Sequence, residues 1–277
     1  MSSADQITKQ SRSNLAFAFL ALPAEKRRDI TTFYAFCRRV DDAADDPGIA
    51  LEKRKEWLQN CRHWLRGKTI GEPTFAVEVR ALIAKYRISL DLFEDILDGV
   101  ESDLEPVRYL SFGQLSEYCY RVASAVGLVS IEIFGYRNPR CRDYAYQLGT
   151  ALQLTNIIRD VETDFQNGGR IYLPLDEMKQ FDYSPDALKQ REYDERFIRL
   201  MKFQASRAKD FFAKAKAALP PEDRSSMVAA EGMRAIYFAL LRKIEKDEFK
   251  VFSRKYRLNR AEKLFFLARQ FIWPFAT

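Results

Sequence analysis

The stretch Ile30-Thr31-Thr32-Phe33-Tyr34-Ala35-Phe36-Cys37-Arg38-Arg39-Val40-Asp41-Asp42-Ala43-Ala44-Asp45 decides the reading of this chain. Ile30, Phe33, Tyr34, Cys37 and Val40 recur at steps of three and four, which predicts an amphipathic helix opening near Pro23. Asp41 and Asp45 continue the same face, and Pro47-Gly48 marks its end. Two carboxylates at i and i+4 lie one turn apart on a helix and repel, so the arrangement asks for a cation. About 120 residues later, Asp160-Val161-Glu162-Thr163-Asp164 repeats the spacing.

Working outward, the periodicity predicts further helices over about 50–66, 74–86, 90–104, 111–135, 139–166, 191–218, 222–248 and 259–271. No alternating Val/Ile/Thr pattern competes. The 11 Gly and 10 Pro are few among 277 residues, and no linker or repeat interrupts them. The expectation is one all-α domain over 1–277, with helices around a central cavity. Asn167-Gly168-Gly169-Arg170-Ile171-Tyr172-Leu173-Pro174 forms a turn after the second cluster, where Arg170 offers a phosphate-matching fork or the loop is merely a helix stop.

Composition narrows the function. A net charge of +6 from 45 basic and 39 acidic residues argues against nucleic acid as the partner. Cys37, Cys61, Cys119 and Cys141 form no CxxC pair, and His63 is the single histidine; reduced thiols in the cytoplasm are expected. The apolar run Leu15 to Leu22 is too short to span a bilayer, and no cleavage-site pattern follows it. Basic residues gather around Arg254-Lys255-Tyr256-Arg257 and Arg260. Nearby Leu264-Phe265-Phe266-Leu267, with Phe271, Ile272, Trp273 and Phe275, suits either peripheral membrane contact or a core-packed terminal helix. The sequence carries no signal for an oligomeric state.

The chemistry follows from charge and spacing. Gln153, Asn156, Asp160 and Asp164 form a polar stripe running through Leu152, Leu154, Ile157 and Ile158. If the two aspartate helices face each other, four carboxylates converge, and two charges at 4 Å repel by about 4 kcal/mol at an effective dielectric of 20. Oxygen-only ligands of this kind suit Mg²⁺ shared with substrate phosphates, and Mn²⁺ takes the same donors. Arg38, Arg39 and Arg159 would complete an anion clamp. An EF-hand loop lacks its spacing, and a di-iron bundle lacks Glu-x-x-His. Asp42 and Asp46 point away from the Asp41/Asp45 row and read as solvated.

The motifs together resemble the squalene/phytoene synthase family. Tyr34–Asp45 is similar to its first aspartate-rich motif, and Gln153–Asp164 to its second. Gly169–Pro174 resembles the segment that follows, and Tyr118–Gly127 the central helix motif, so the resemblance spans about 11 to 265. It implies an isoprenoid synthase fold and Mg²⁺-dependent head-to-head joining of two prenyl diphosphates. By resemblance, Asp41, Asp45, Asp160 and Asp164 hold metal with Asn156. Arg38, Gln153 and Arg159 serve the diphosphates, Tyr34 and Tyr118 line the reacting centre, and Val122 and Val126 shape the prenyl channel. Ser11 and Ser13, and the pair Tyr237 and Arg254, match weaker family positions that ordinary helix residues explain equally well.

Within the family, the Tyr-Cys-x-Arg-Val-Ala-Ser-Ala-Val-Gly run looks most like bacterial presqualene diphosphate synthases of hopanoid pathways, which implies farnesyl diphosphate as substrate. Phytoene synthase acting on geranylgeranyl diphosphate, and dehydrosqualene synthase, are the alternatives. No Gly-rich dinucleotide fingerprint supports NADPH, although an all-α enzyme can bind it by other means. The carbocation chemistry would need a closed apolar cavity, with Phe33, Tyr34, Phe36 and Tyr118 as candidate aromatic walls. The non-enzymatic alternative is an inactive helical factor for assembly or membrane docking.

Overall fold

The computed structural model describes residues 18–46, 48–67 and 72–272. A three-ten turn, Phe19–Ala21, leads into α1 (Ala24–Asp45), α2 (Leu51–Leu65), α3 (Thr74–Tyr86), α4 (Leu90–Ser102) and α5 (Phe112–Cys119). A π-helical turn, Tyr120–Ser124, joins α5 to α6 (Ala125–Phe134). Then come α7 (Cys141–Gln166), short α8 (Leu175–Gln180) and α9 (Pro185–Lys189), α10 (Glu195–Ala218), α11 (Val228–Lys246) and α12 (Arg260–Ile272). Among the described residues there is no strand, only an isolated bridge between Arg108 and Ile171. The fold is the all-α one expected, and no helix is long and apolar enough to cross a membrane among those residues.

Local chemistry explains where helices begin. Ser89 accepts the Asp91 N–H at the start of α4 (3.2 Å). Asp194 accepts the N–H groups of Arg196 and Phe197, so α10 begins at Glu195 rather than near 191. Pro220 and Pro221 hold the chain in a three-ten turn, Pro221–Asp223, and α11 waits until Val228 rather than 222. Buried Asp223 uses that turn to accept the N–H groups of Arg137 and Asn138 at 2.7 and 3.0 Å.

The long α7 is the axis of the molecule and packs most extensively on α10. Its 26 residues bury Tyr144, Leu148, Leu154, Ile157, Ile158 and Val161. At about 25 cal/mol per Å² of apolar surface, each large side chain contributes roughly 1.5–3 kcal/mol. Phe33 and Phe36 of α1 meet Phe93 of α4 edge-on at 5.7 and 5.5 Å, fully buried. Both are closed off in the core by this contact, and no cleft reaches them among the described residues.

The expected helix over 111–135 is present and continuous from Phe112 to Phe134, but it carries a π turn inside it, whose wider backbone must be accommodated on both sides. Two glycines do this. A Cβ on Gly149 of α7 would lie 2.6 Å from Ser124 Cα, and one on Gly99 of α4 would lie 2.7 Å from Val122 Cγ1. The close approach lets Ser124 Oγ donate to the Tyr146 carbonyl (2.9 Å) and bond Thr150 Oγ1 (3.1 Å). The turn begins two residues after Tyr118, and it shifts the register between Tyr118 and Val126.

Candidate active site

Both aspartate clusters end a helix. Tyr34, Arg38, Asp41 and Asp45 descend α1 at steps of four, three and four; Gln153, Asn156, Asp160 and Asp164 descend α7 at three, four and four. Each set therefore occupies one face. After α7 the chain reverses at Gly168 and Gly169, both at positive φ (79° and 72°). The following strand of chain then zips beside 107–110: Ile171 N–H donates to the Val107 carbonyl (3.2 Å) and Leu175 N–H to the Tyr109 carbonyl (2.9 Å).

That return path aims Arg170 at the first cluster. Its Nη2 donates to Asp45 Oδ1 at 2.9 Å and to the Asp103 carbonyl at 2.8 Å. Asp103, just past α4, is a carboxylate that sequence reasoning missed. Its two oxygens accept the Tyr118 and Tyr172 hydroxyls at 2.7 and 2.6 Å. The two rings stack with centroids 5.0 Å apart, and Tyr109 lies 5.5 Å from Tyr118. An acid at a helix C-terminus opposes the dipole, and that local misfit was the one signal in the sequence.

Electrostatics ties the clusters together. The Asp41 carboxyl is raised to about 7, chiefly by desolvation; Arg38 opposes this, while Asp45, Asp42 and Asp103 push it further. Asp41 nonetheless keeps an exposed surface, through which its carboxyl meets solvent. Asp164 is raised to about 8 by desolvation, then by Asp160 and Asp103, against Arg170 and Arg159. Asp103 is raised by burial, with the two tyrosine hydroxyls countering. Burial and the neighbouring Asp103 charge push the Tyr118 phenol well up, so it stays a hydrogen-bond donor.

These carboxylates fit a hard cation. Desolvated acids without enough positive charge favour either protons or a metal. Asn156 Oδ1 is buried without a hydrogen-bond partner, one turn before Asp160 on the same face, while its Nδ2 donates to Gln153 Oε1 at 3.3 Å. An unsatisfied amide oxygen beside carboxylates is a ligand of the type Mg²⁺ accepts. Among the described residues, no three acidic, histidine or cysteine side chains close around one point. Mg²⁺ sites that share the ion with water and substrate phosphate use only one or two carboxylates, so the donor set suits that kind of site.

The flanking groups are distributed as follows. Arg38 pairs with Asp42 at 2.7 Å, both side chains half exposed, so Asp42 is solvent-facing as expected and also holds the arginine by an i,i+4 ion pair. Arg159 clasps Asp160 through Nε (2.8 Å) and Nη2, and also meets Tyr237. Beside this pair opens a cleft of about 390 Å³, lined by Arg159, Asp160, Arg191, Ser253, Arg254 and Lys255. Arg254 thus reaches the site's edge, with its guanidinium on Asp247 at 2.9 Å. Arg191, bound to Glu162 at 2.5 Å, is a second residue that sequence reasoning missed. Tyr34, Val122 and Val126 are half-buried and pack against the core. Ser11 and Ser13 lie outside the described residues.

Comparison with known proteins adds an independent line. The squalene/phytoene synthase family model matches residues 8–262. A phytoene synthase of Arthrospira platensis is 35% identical over 268 residues, covering 90% of this chain and 85% of its own. A presqualene diphosphate synthase of Zymomonas mobilis is 32% identical over 259 residues, covering 93% and 88%. The crystal structure of a dehydrosqualene synthase superposes with a TM-score of 0.83 at 27% identity, covering 98% of this chain and 96% of that one. A squalene synthase from Alicyclobacillus acidocaldarius superposes with a TM-score of 0.74 at 24% identity, covering 89% and 93%.

Proposed function

We propose that this chain, which belongs to the squalene/phytoene synthase family, joins two farnesyl diphosphates into presqualene diphosphate, releasing one diphosphate and one proton. Head-to-head condensation of prenyl diphosphates is the family's reaction. The observation that carries the site assignment is the Arg170–Asp45 bond, which draws the end of one aspartate helix onto the other. Mg²⁺, held by Asp41, Asp45, Asn156, Asp160 and Asp164, would supply the charge that stabilises the departing diphosphate.

The protein's own groups do the rest. Arg38, Arg159 and Arg254 bind and orient the diphosphates at the cleft mouth. Buried Tyr118, held by Asp103 and stacked on Tyr172, supplies aromatic density beside the reacting centre, and Tyr34 of α1 supplies a second ring there. Half-buried Val122 and Val126 give the chains an apolar wall, and water exclusion there protects the cation. Farnesyl as the chain length rests on the Tyr118–Gly127 run and on the likeness to a dehydrosqualene synthase.

A second reading, geranylgeranyl diphosphate joined to phytoene, is favoured by relatives named phytoene synthases at up to 35% identity. Incubating the purified protein with each diphosphate and Mg²⁺, with and without NADPH, and identifying products by mass spectrometry separates the two. Product from farnesyl diphosphate supports the first reading; product only from geranylgeranyl diphosphate overturns it. Squalene appearing only with NADPH would extend the reaction by a reductive step.

A further inference from the structure

The terminal helix α12 wears its apolar stripe on the outside. Ala261, Leu264, Phe265 and Ala268 fall at i, i+3, i+4 and i+7, and all four are exposed, Leu264 at 49% and Phe265 at 62%. The helix is nonetheless firmly seated. Asn259 and Glu262 form a reciprocal capping box: Asn259 N–H donates to Glu262 Oε2 (2.6 Å), and Glu262 N–H donates to Asn259 Oδ1 (2.8 Å). On the inner face, buried Leu267 fills a notch over Gly232 of α11, where a Cβ would sit 2.4 Å from its Cδ2. A capped, packed helix that turns four positions of one apolar stripe to solvent presents the kind of surface that marks an interaction site.

Charge identifies the partner. Residues 242–263 contain nine basic and four acidic side chains; Arg254 and Lys255 belong to the candidate active-site cleft and Lys243 and Lys250 are ion-paired, while Arg242 and Lys246 stand beside α12. A cleft of about 830 Å³ between α11 and α12 runs beside the stripe, lined by Arg242, Lys246, Leu258, Phe265 and Phe266 among others. Its acids are already engaged: Glu245 binds Lys209 at 2.7 Å, and Glu262 serves the helix cap. Arg242 and Lys246 form no ion pair with a described residue, and both are exposed. An apolar stripe rimmed by unneutralised cations matches an interfacial helix on an anionic bilayer. We infer that α12 and the basic rim of α11 dock the protein on the surface of an anionic phospholipid membrane, with Leu264 and Phe265 entering the headgroup boundary. Phe271 and Ile272 extend the same helix, and Trp273 and Phe275 lie outside the described residues.

Vesicle flotation of the full chain tests this without any substrate. Vesicles of phosphatidylcholine alone are compared with vesicles containing about a third phosphatidylglycerol, at low and high salt. Wild type should float with the anionic vesicles at low salt, and at least about tenfold less with neutral ones or at high salt. Leu264→Asp with Phe265→Asp, and separately Arg242→Glu with Lys246→Glu, should each lower bound protein about tenfold while keeping the wild-type melting temperature. Equal flotation of the variants, or no wild-type binding to anionic vesicles, overturns the inference. Sedimentation velocity supplies the rival outcome: a dimer that Phe265→Asp dissociates would assign the stripe to a second copy.

Discussion

Arg170 reaches across 125 residues of sequence to place its guanidinium 2.9 Å from Asp45. It leaves the turn that ends α7 and contacts the last carboxylate of α1, so one side chain joins the two aspartate helices. Replacing it with alanine should leave the Asp41/Asp45 and Asp160/Asp164 charges facing each other with less compensation. Expected is a fall in kcat/KM of at least about a hundredfold, the range seen when one preorganised donor is removed. Arg170→Lys should recover part of the loss, since both bonds leave one nitrogen and an ammonium has donors for each, though on a stem of different reach. Steady-state kinetics checks both; wild-type activity in Arg170→Ala would sink the assignment.

Asp41→Ala and Asp160→Ala should each abolish diphosphate release while leaving the helical circular dichroism intact. Asp41 is exposed and Asp160 lines a cleft, so neither is core and their loss removes charge without opening a cavity. Full turnover in either variant would remove that residue from the metal site.

The raised carboxyls predict how stability changes with pH. Folded Asp41 and Asp164 keep protons up to about 7 and 8, whereas an unfolded carboxyl releases its proton near 3.8. The folded state thus binds more protons across that window, so these groups stabilise it at low pH and lose that contribution as pH rises through about 7 and 8. In chelator, the melting temperature should fall between about pH 6 and pH 8.5. Mg²⁺ should reverse the fall, stabilise more at the higher pH, and release protons on binding, readable by titration calorimetry in buffers of different ionisation enthalpy. A melting temperature that rises with pH in chelator would contradict this reading.

Asp103 should act through Tyr118. Asp103→Asn removes the charge that receives two tyrosine hydroxyls, and Tyr118→Phe removes one of those hydroxyls. Each single variant should lower kcat by about tenfold or more. The double variant should be little worse than the weaker single, because neighbours sharing one bond are not additive. Independent, multiplicative losses would show that the two residues act separately.

Two glycines should fail for different reasons. Gly149→Ala drives a Cβ to within 2.6 Å of Ser124 Cα, so the π turn or α7 must shift, at a cost of about 1–3 kcal/mol. Gly168→Ala meets nothing within 4 Å and costs only its positive φ, about 1 kcal/mol. Thermal melts should rank them in that order. Gly149→Ala should also lower activity, because the displaced turn carries Val122.

The sequence alone determined the helices, since their periodicity is local, and it marked both i,i+4 aspartate pairs, since spacing on a helix sets their face. It also displayed Arg170 beside two glycines, with function and helix stop left as equals. What the tertiary structure decided was everything that joins distant segments: the Arg170–Asp45 bond, the acid Asp103 between two tyrosines, and the glycine-lined π turn inside an apparently continuous helix. Asp103 has no motif of its own, and its significance comes from hydroxyls 15 and 69 residues away. The exposed stripe of α12 belongs to the same class. Its periodicity was legible, but which face turns outward depends on Leu267 finding the notch at Gly232, and packing between helices is not a local property of either one.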